Sequence, residues 1–103
     1  MRNFFCVALT VALGATSAIA ASPNHFAGSN LLPLSKITLA EARATAIAAR
    51  PGRITDQELE KERGGTGLRY SFDINSNGKT FEVGVDARTG KVLENKAEGP
   101  DPD

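Results

Sequence analysis

The chain has 103 residues, with 12 Lys+Arg balanced by 12 Asp+Glu, one histidine and one cysteine. A charge balance this even leaves no electrostatic footprint for nucleic acid or an anionic membrane surface. The length holds one domain with a small core, so stability is expected to be modest.

Arg2 precedes an apolar run from Phe4 to about Ala15 that carries no acid or base. Ala18-Ile19-Ala20 then supplies the small-x-small pattern of a signal-peptidase site, so residues 1–20 read as a secretory signal cleaved after Ala20. The run is shorter than the roughly 20 apolar residues of a membrane span, and no basic stop-transfer cluster follows. Cys6 lies inside the run, away from the cleavage point, which argues against a lipid anchor. Beyond Ala20 the chain has no cysteine and hence no disulfide, although the periplasm or the medium would permit one. No membrane insertion is expected after cleavage, and the chain is expected to be a monomer.

Residues 21–36 mix Pro, Gly, Ser and Asn without periodicity and read as an extended linker. Leu31, Leu32 and Leu34 within it are expected to dock on the domain rather than form an exposed hook. His25 has no Cys or acidic neighbour at metal-ligand spacing and reads as a solvated linker residue. Nothing in the chain calls for a cofactor or a metal. At the other end residues 97–103 are polar, carry two prolines and are expected to be disordered. The folded domain is thus placed at 37–96.

Thr38-Leu39-Ala40-Glu41 fits a capping box, and an alanine-rich, glycine-free run follows as far as Arg50. Pro51-Gly52 stops it, which predicts a helix over 39–50. Leu39, Ala42, Ala46 and Ala49 form one stripe with Ile47 at its edge, small enough to let the helix lie close to a sheet. Arg43 and Arg50, seven residues apart, fall on one side of this helix. Their stems can cover apolar surface while the guanidinium groups reach water. The alternative is a paired basic contact for a carboxylate on a partner.

Residues 53–63 favour helix by composition, yet an edge strand is the preferred reading. Ile54 and Leu59 have opposite parity, so a bulge between them would turn both inward. The surrounding charges would then protect the edge from aggregation. Gly64-Gly65-Thr66-Gly67 reads as a flexible turn. Leu68, Tyr70, Phe72 and Ile74 share one face of the next strand; Phe81, Val83 and Val85 share one face of the strand after it. A two-residue type I′ turn at Asn77-Gly78 would pair Ser76 with Lys79, Ile74 with Phe81, Phe72 with Val83, Tyr70 with Val85 and, on the solvent side, Arg69 with Asp86. A four-residue loop, 75–78, shifts the pairing by two and keeps the faces, so both registers stay open. At Asp86-Ala87-Arg88-Thr89-Gly90 the chain turns again, with Gly90 in the left-handed position and the Asp86 carboxylate accepting from turn amides. Lys91-Val92-Leu93 returns as a short last strand that sets Leu93 opposite Val85. The assembly is a small α+β domain: one N-terminal helix packed on an antiparallel sheet of three to four strands.

The pattern Ile37-Thr38-Leu39-x-Glu41-Ala42-x-x-x-Ala46, then Pro51-Gly52 and a charged strand, resembles the PepSY domain. So does the ending Phe81-x-Val83-x-Val85-Asp86-Ala87-x-Thr89-Gly90-x-Val92. The resemblance covers residues 37 to 94. It departs at Arg43 and Thr45, where bulkier apolar residues are common, and in a first strand that is unusually polar. The resemblance implies a non-catalytic module outside the bacterial cytoplasm or on its membrane, of a kind found in propeptides of thermolysin-type metallopeptidases and proposed to restrain peptidase activity. It supplies no catalytic residue. Pro51, Gly52, Asp86, Thr89 and Gly90 match its motif, and each reads physically as a turn or cap.

An enzyme is disfavoured on the residues themselves. Beyond the leader there is no cysteine, no His beside an acid, no nucleophile elbow and no phosphate loop. Asp73 and Glu82 can face each other across the hairpin, read as a tolerated repulsion on a solvent face, with nothing nearby expected to raise the pKa of either. Two function classes stand: a binding module that modulates or inhibits an extracytoplasmic peptidase, and an interaction or sensory module that partners a membrane-anchored regulator or envelope protein. Both imply a protein or peptide partner. Arg43, Arg50 and the charged strand are where its contacts are expected.

Overall fold

The structure, a computed structural model, describes residues 26–99; the expectations for the leader, for His25 and for the end of the tail lie outside them. An N-terminal helix, α1 (Leu39–Ala49), packs on a four-stranded antiparallel sheet. The strands are β1 (Arg53–Lys61), β2 (Leu68–Ser76), β3 (Lys79–Asp86) and β4 (Val92–Ala97), in the spatial order β1-β2-β3-β4.

Both halves of the capping box form. The Glu41 amide donates to Thr38 Oγ1 at 3.0 Å, and the Thr38 amide donates to Glu41 Oε1 at 2.9 Å. Leu39, Ala42 and Ala46 are buried against the sheet, where Leu59, Leu68, Tyr70, Phe72, Ile74, Val83, Val85 and Ala87 complete the core. Ile47 and Ala49 flank the stripe, half-buried.

The hairpin takes the two-residue turn. Asn77 (φ 54°) and Gly78 (φ 80°) both occupy the left-handed region that a type I′ turn requires. Ser76 pairs with Lys79, Ile74 with Phe81, Phe72 with Val83 and Tyr70 with Val85, so one face of β2 and β3 is continuously apolar. β1 is a strand, and its register against β2 shifts between Ile54 and Asp56. That bulge brings Ile54 opposite Ile74 and Leu59 opposite Tyr70, on the core side, despite their opposite parity.

Pro51-Gly52 has a steric reason beyond turning the chain. A Cβ on Gly52 would lie 2.4 Å from the Asn75 carbonyl oxygen and 2.8 Å from Ile74 Cγ2. Only a glycine lets β1 start this close to β2. Gly52→Ala is therefore expected to cost about 1–2 kcal/mol through overpacking against backbone, read as a lowered urea midpoint; an unchanged midpoint would refute the close approach.

Three parts of the fold depart from the sequence reading. First, the segment read as a linker is folded from Phe26 onward. Ala27 bridges to Glu58 in parallel, its carbonyl accepting from the Leu59 amide at 3.0 Å. Gly28 passes so close to Leu59 that a Cβ there would overlap the Leu59 carbonyl. A 3₁₀ turn, Ser29–Leu34, then lays Leu31 and Leu32 on the core and leaves Leu34 exposed. Second, β4 is longer than expected. It runs to Ala97, and the Glu98 amide still donates to the Thr80 carbonyl at 2.9 Å. Third, Val85 lies opposite Val92 rather than Leu93, because the β3–β4 register shifts between Gly84 and Val85. The extra residue, Leu93, packs towards Gly65 instead.

Candidate functional site

The motif residue Asp86 sits at the end of β3, opposite Arg69 as the register predicts, yet it is 1% exposed rather than on the solvent side, because two loops close over its carboxylate. Its carboxylate accepts four hydrogen bonds: from the Arg88 amide (2.8 Å), the Thr89 amide (3.1 Å), the Thr66 amide (2.7 Å) and the Thr66 hydroxyl (2.8 Å). The first two close the β3–β4 turn, completed by the Gly90 amide donating to the Asp86 carbonyl at 2.8 Å, with Gly90 at φ 81°. The other two come from the β1–β2 loop. That loop is a clamp, not simply a flexible turn: Arg88 adds a bond to the Thr66 carbonyl, and Gly65 (φ 56°) is pressed against Asp86 and Leu93. Burial opposes the charge, but the backbone and hydroxyl donors of Thr66, Arg88 and Thr89 prevail and hold the carboxyl down to about 2. Thr66 had no signal of its own in the sequence, since four loop residues in a row carry no periodicity.

The next residue extends the same device. The Ala87 amide donates to the Leu68 carbonyl, and the Ala87 carbonyl accepts from both the Lys36 and Ile37 amides, which ties the entry to α1 to the motif turn. The Tyr70 hydroxyl fastens the same entry by donating to the Ile37 carbonyl at 3.0 Å. The motif thus anchors two loops and the start of the helix.

The two helix arginines do not converge. Arg43 donates to the Gln57 side chain on β1. Arg50 reaches the opposite edge, where its Nε donates to Asn95 Oδ1 at 3.1 Å and its guanidinium carbon lies 3.8 Å from the centre of the Phe81 ring. Asn95 in turn donates to the Ala49 carbonyl, satisfying one of the orphan acceptors at the helix C-terminus. Arg50 therefore straps the helix end to β3 and β4.

Arg43 stands over an open groove between α1 and β1. Ala44, Ile47 and Ala48 from the helix and Ile54 from the strand form its floor, and Arg53 stands at its end. A second hollow continues beyond Arg43 past Thr55 and Gln57 to Phe26.

The other face of the sheet, away from the helix, is acidic. Asp56, Asp73 and Glu82 are successive cross-strand neighbours on β1, β2 and β3, with Glu58, Glu60 and Glu94 alongside. One arginine crosses this face: Arg69, whose side chain is 11% exposed, lies flat over Gly84, donates to Glu94 at 3.1 Å and to the Arg63 carbonyl at 3.0 Å. Its Nε is buried without a partner among the described residues. Lys96 pairs with Glu94 at 3.2 Å.

Contrary to the expectation for Asp73 and Glu82, partial desolvation first, and the neighbouring carboxylates second, push Glu58, Asp73 and Glu82 above the usual carboxylate range. A raised folded-state pKa makes the ionised form unfavourable for folding. The domain is therefore stabilised as pH falls from neutral through those raised values, until Asp86 begins to protonate below its ordinary value of 3.8. Thermal melting at low salt should accordingly be higher at pH 5 than at pH 7, with a smaller difference in about 0.5 M NaCl. A flat or inverted profile would show that the carboxylate row is not strained.

Among the described residues no group of His, Cys, Asp and Glu is placed to hold a metal ion, and no helix is long and apolar enough to cross a membrane. One helix on a four-stranded antiparallel sheet, its motif side chains engaged in turns, defines a small α+β domain. The family model for the peptidase propeptide and YPEB domain, PepSY, matches residues 36–96, and the chain belongs to that family. PepSY domains are generally non-catalytic modules. No curated protein and no solved structure matches the chain.

Proposed function

We propose that this chain is a non-catalytic binding module that acts outside the cytoplasm and restrains a peptidase. The observation that carries this reading is the PepSY match across nearly the whole folded domain. The apolar leader with its small-x-small site, Ala18-Ile19-Ala20, supports export. The engagement of Asp86 and Gly90 in the β3–β4 turn also supports it, since a signature that maintains the fold leaves other surface free to fit a partner.

The test is a dose series of the purified protein against a panel of secreted and periplasmic proteases from its own host. A saturable fall in the activity of one of them is expected. No effect across the panel, together with crosslinked capture of a membrane sensor from periplasmic extract, would instead establish the envelope-partner role.

A further inference from the structure

We propose that the edge of β1 from Arg53 to Gln57, unpaired among the described residues, takes with the groove behind it an extended acidic segment of a protein partner. The inference rests on the binding-module reading above and names the surface and the chemistry it selects.

Three observations converge on this edge. The outward side of β1 already accepts one extended residue, because Ala27 bridges to Glu58 and its carbonyl takes the Leu59 amide. That pairing engages β1 at Glu58 and Leu59, and an added segment can continue the same edge towards Arg53 by main-chain hydrogen bonding. Next, the floor beside this stretch is apolar and low. Ala44 and Ala48 are exposed and small, and Ile47 and Ile54 are half-buried, which leaves room for alternate aliphatic side chains of an extended peptide. Finally, the rim is cationic. Arg53 is exposed and makes no ion pair among the described residues, and Arg43 is bonded only to the neutral amide of Gln57. Asp56 borders the second hollow beyond Arg43, and its cross-strand partner is a further carboxylate, Asp73. Two guanidinium groups that form no ion pair among the described residues flank an apolar floor and favour a carboxylate next to aliphatic residues.

The same charges disfavour a second copy of this chain. A second copy would bring its own Arg43 and Arg53 to a rim that is already cationic, and opposed like charges destabilise such a contact. The bulge beside Thr55 also bends the edge and limits it to a short added segment.

The protein, purified in the form its host processes, would be titrated by fluorescence polarisation with two labelled eight-residue peptides. Both alternate valine and threonine; one carries two glutamates and the other two lysines at the same places. The glutamate peptide is expected to bind at least about tenfold more tightly than the lysine peptide, with amide shifts at Ile47, Ile54 and Thr55. The double variant Arg43→Gln/Arg53→Gln should lose that preference at an unchanged melting temperature, while Lys79→Gln/Lys91→Gln keeps it. Equal affinity for the two peptides, no binding of either, or shifts confined to β4 or the acidic face would overturn the proposal. So would a dimer in sedimentation that closes this edge, or nuclear Overhauser contacts from residues 21–25 to Ile54 in the free protein. Protease inhibition without peptide discrimination removes only the groove; discrimination without inhibition removes only the peptidase.

Discussion

An Asp86→Ala chain is expected to lose about 3 kcal/mol of stability at pH 7, measured as a shift in urea midpoint. The carboxylate is 1% exposed and accepts four hydrogen bonds from three residues in two loops. Removing it leaves those donors without their acceptor, and each unmade buried bond costs about 1–3 kcal/mol before relaxation. A second line of reasoning gives a similar size. A carboxyl held at about 2 rather than 3.8 favours the folded, ionised state by about 2 kcal/mol. Because the folded value is depressed, that contribution is fully present above pH 3.8 and disappears as pH falls towards 2. A domain of this size has only about 4–10 kcal/mol in total, so the alanine chain should approach its unfolding threshold. Asp86→Asn should fall between the two, since it keeps one oxygen acceptor but presents an amide donor to other donors. A loss under about 1 kcal/mol for the alanine variant would contradict the anchoring role.

Ala46→Leu should be nearly as damaging, at about 3 kcal/mol, the upper end of the range for overpacked cores. Ala42 and Ala46 are fully buried, and their methyl groups set how closely α1 approaches β2 and β3. A leucine has no space to enter, so the helix must lift. Lifting it also strains the strap from Arg50 to Asn95 and Phe81. Ala40→Leu on the exposed side of the same helix is the control, with an expected change within about 0.5 kcal/mol. Equal effects from the two substitutions would mean that helix propensity, not spacing, governs this contact.

How much of this was readable beforehand varies along the chain. Between Leu68 and Asp86, strict alternation and an Asn-Gly turn admit few registers, and the observed one pairs every apolar residue with an apolar residue. The bulge in β1 was legible for the same reason: Ile54 and Leu59 cannot share a face without it. The capping box needed only Thr38 and Glu41. By contrast, residues 26–36 are held by backbone groups, through Ala27 to Leu59 and through Lys36 and Ile37 to Ala87. Such bonds leave no side-chain period to detect. The clamp at Thr66, the cap from Asn95 and the length of β4 were hidden for the same cause, because each depends on a partner brought near only by the finished fold.

The same contrast separates the signature from the surface. Pro51 and Gly52 admit β1 beside β2, and Asp86, Thr89 and Gly90 form the turn on which the β1–β2 loop and the helix entry are fastened. Asp86 and Gly90 cannot change partners without loosening the domain, while Gly52 borders the helix–strand groove. Arg43 and Arg53, at the helix–strand groove, carry no comparable duty in the core.

The anchoring role of Asp86 is tested most directly by following its side-chain carboxyl carbon through an acid titration by nuclear magnetic resonance. A midpoint at about 2, with Thr66, Arg88 and Thr89 amide shifts moving in step, is the predicted result. A midpoint near the ordinary 3.8, with the Thr66 amide unaffected, would contradict it.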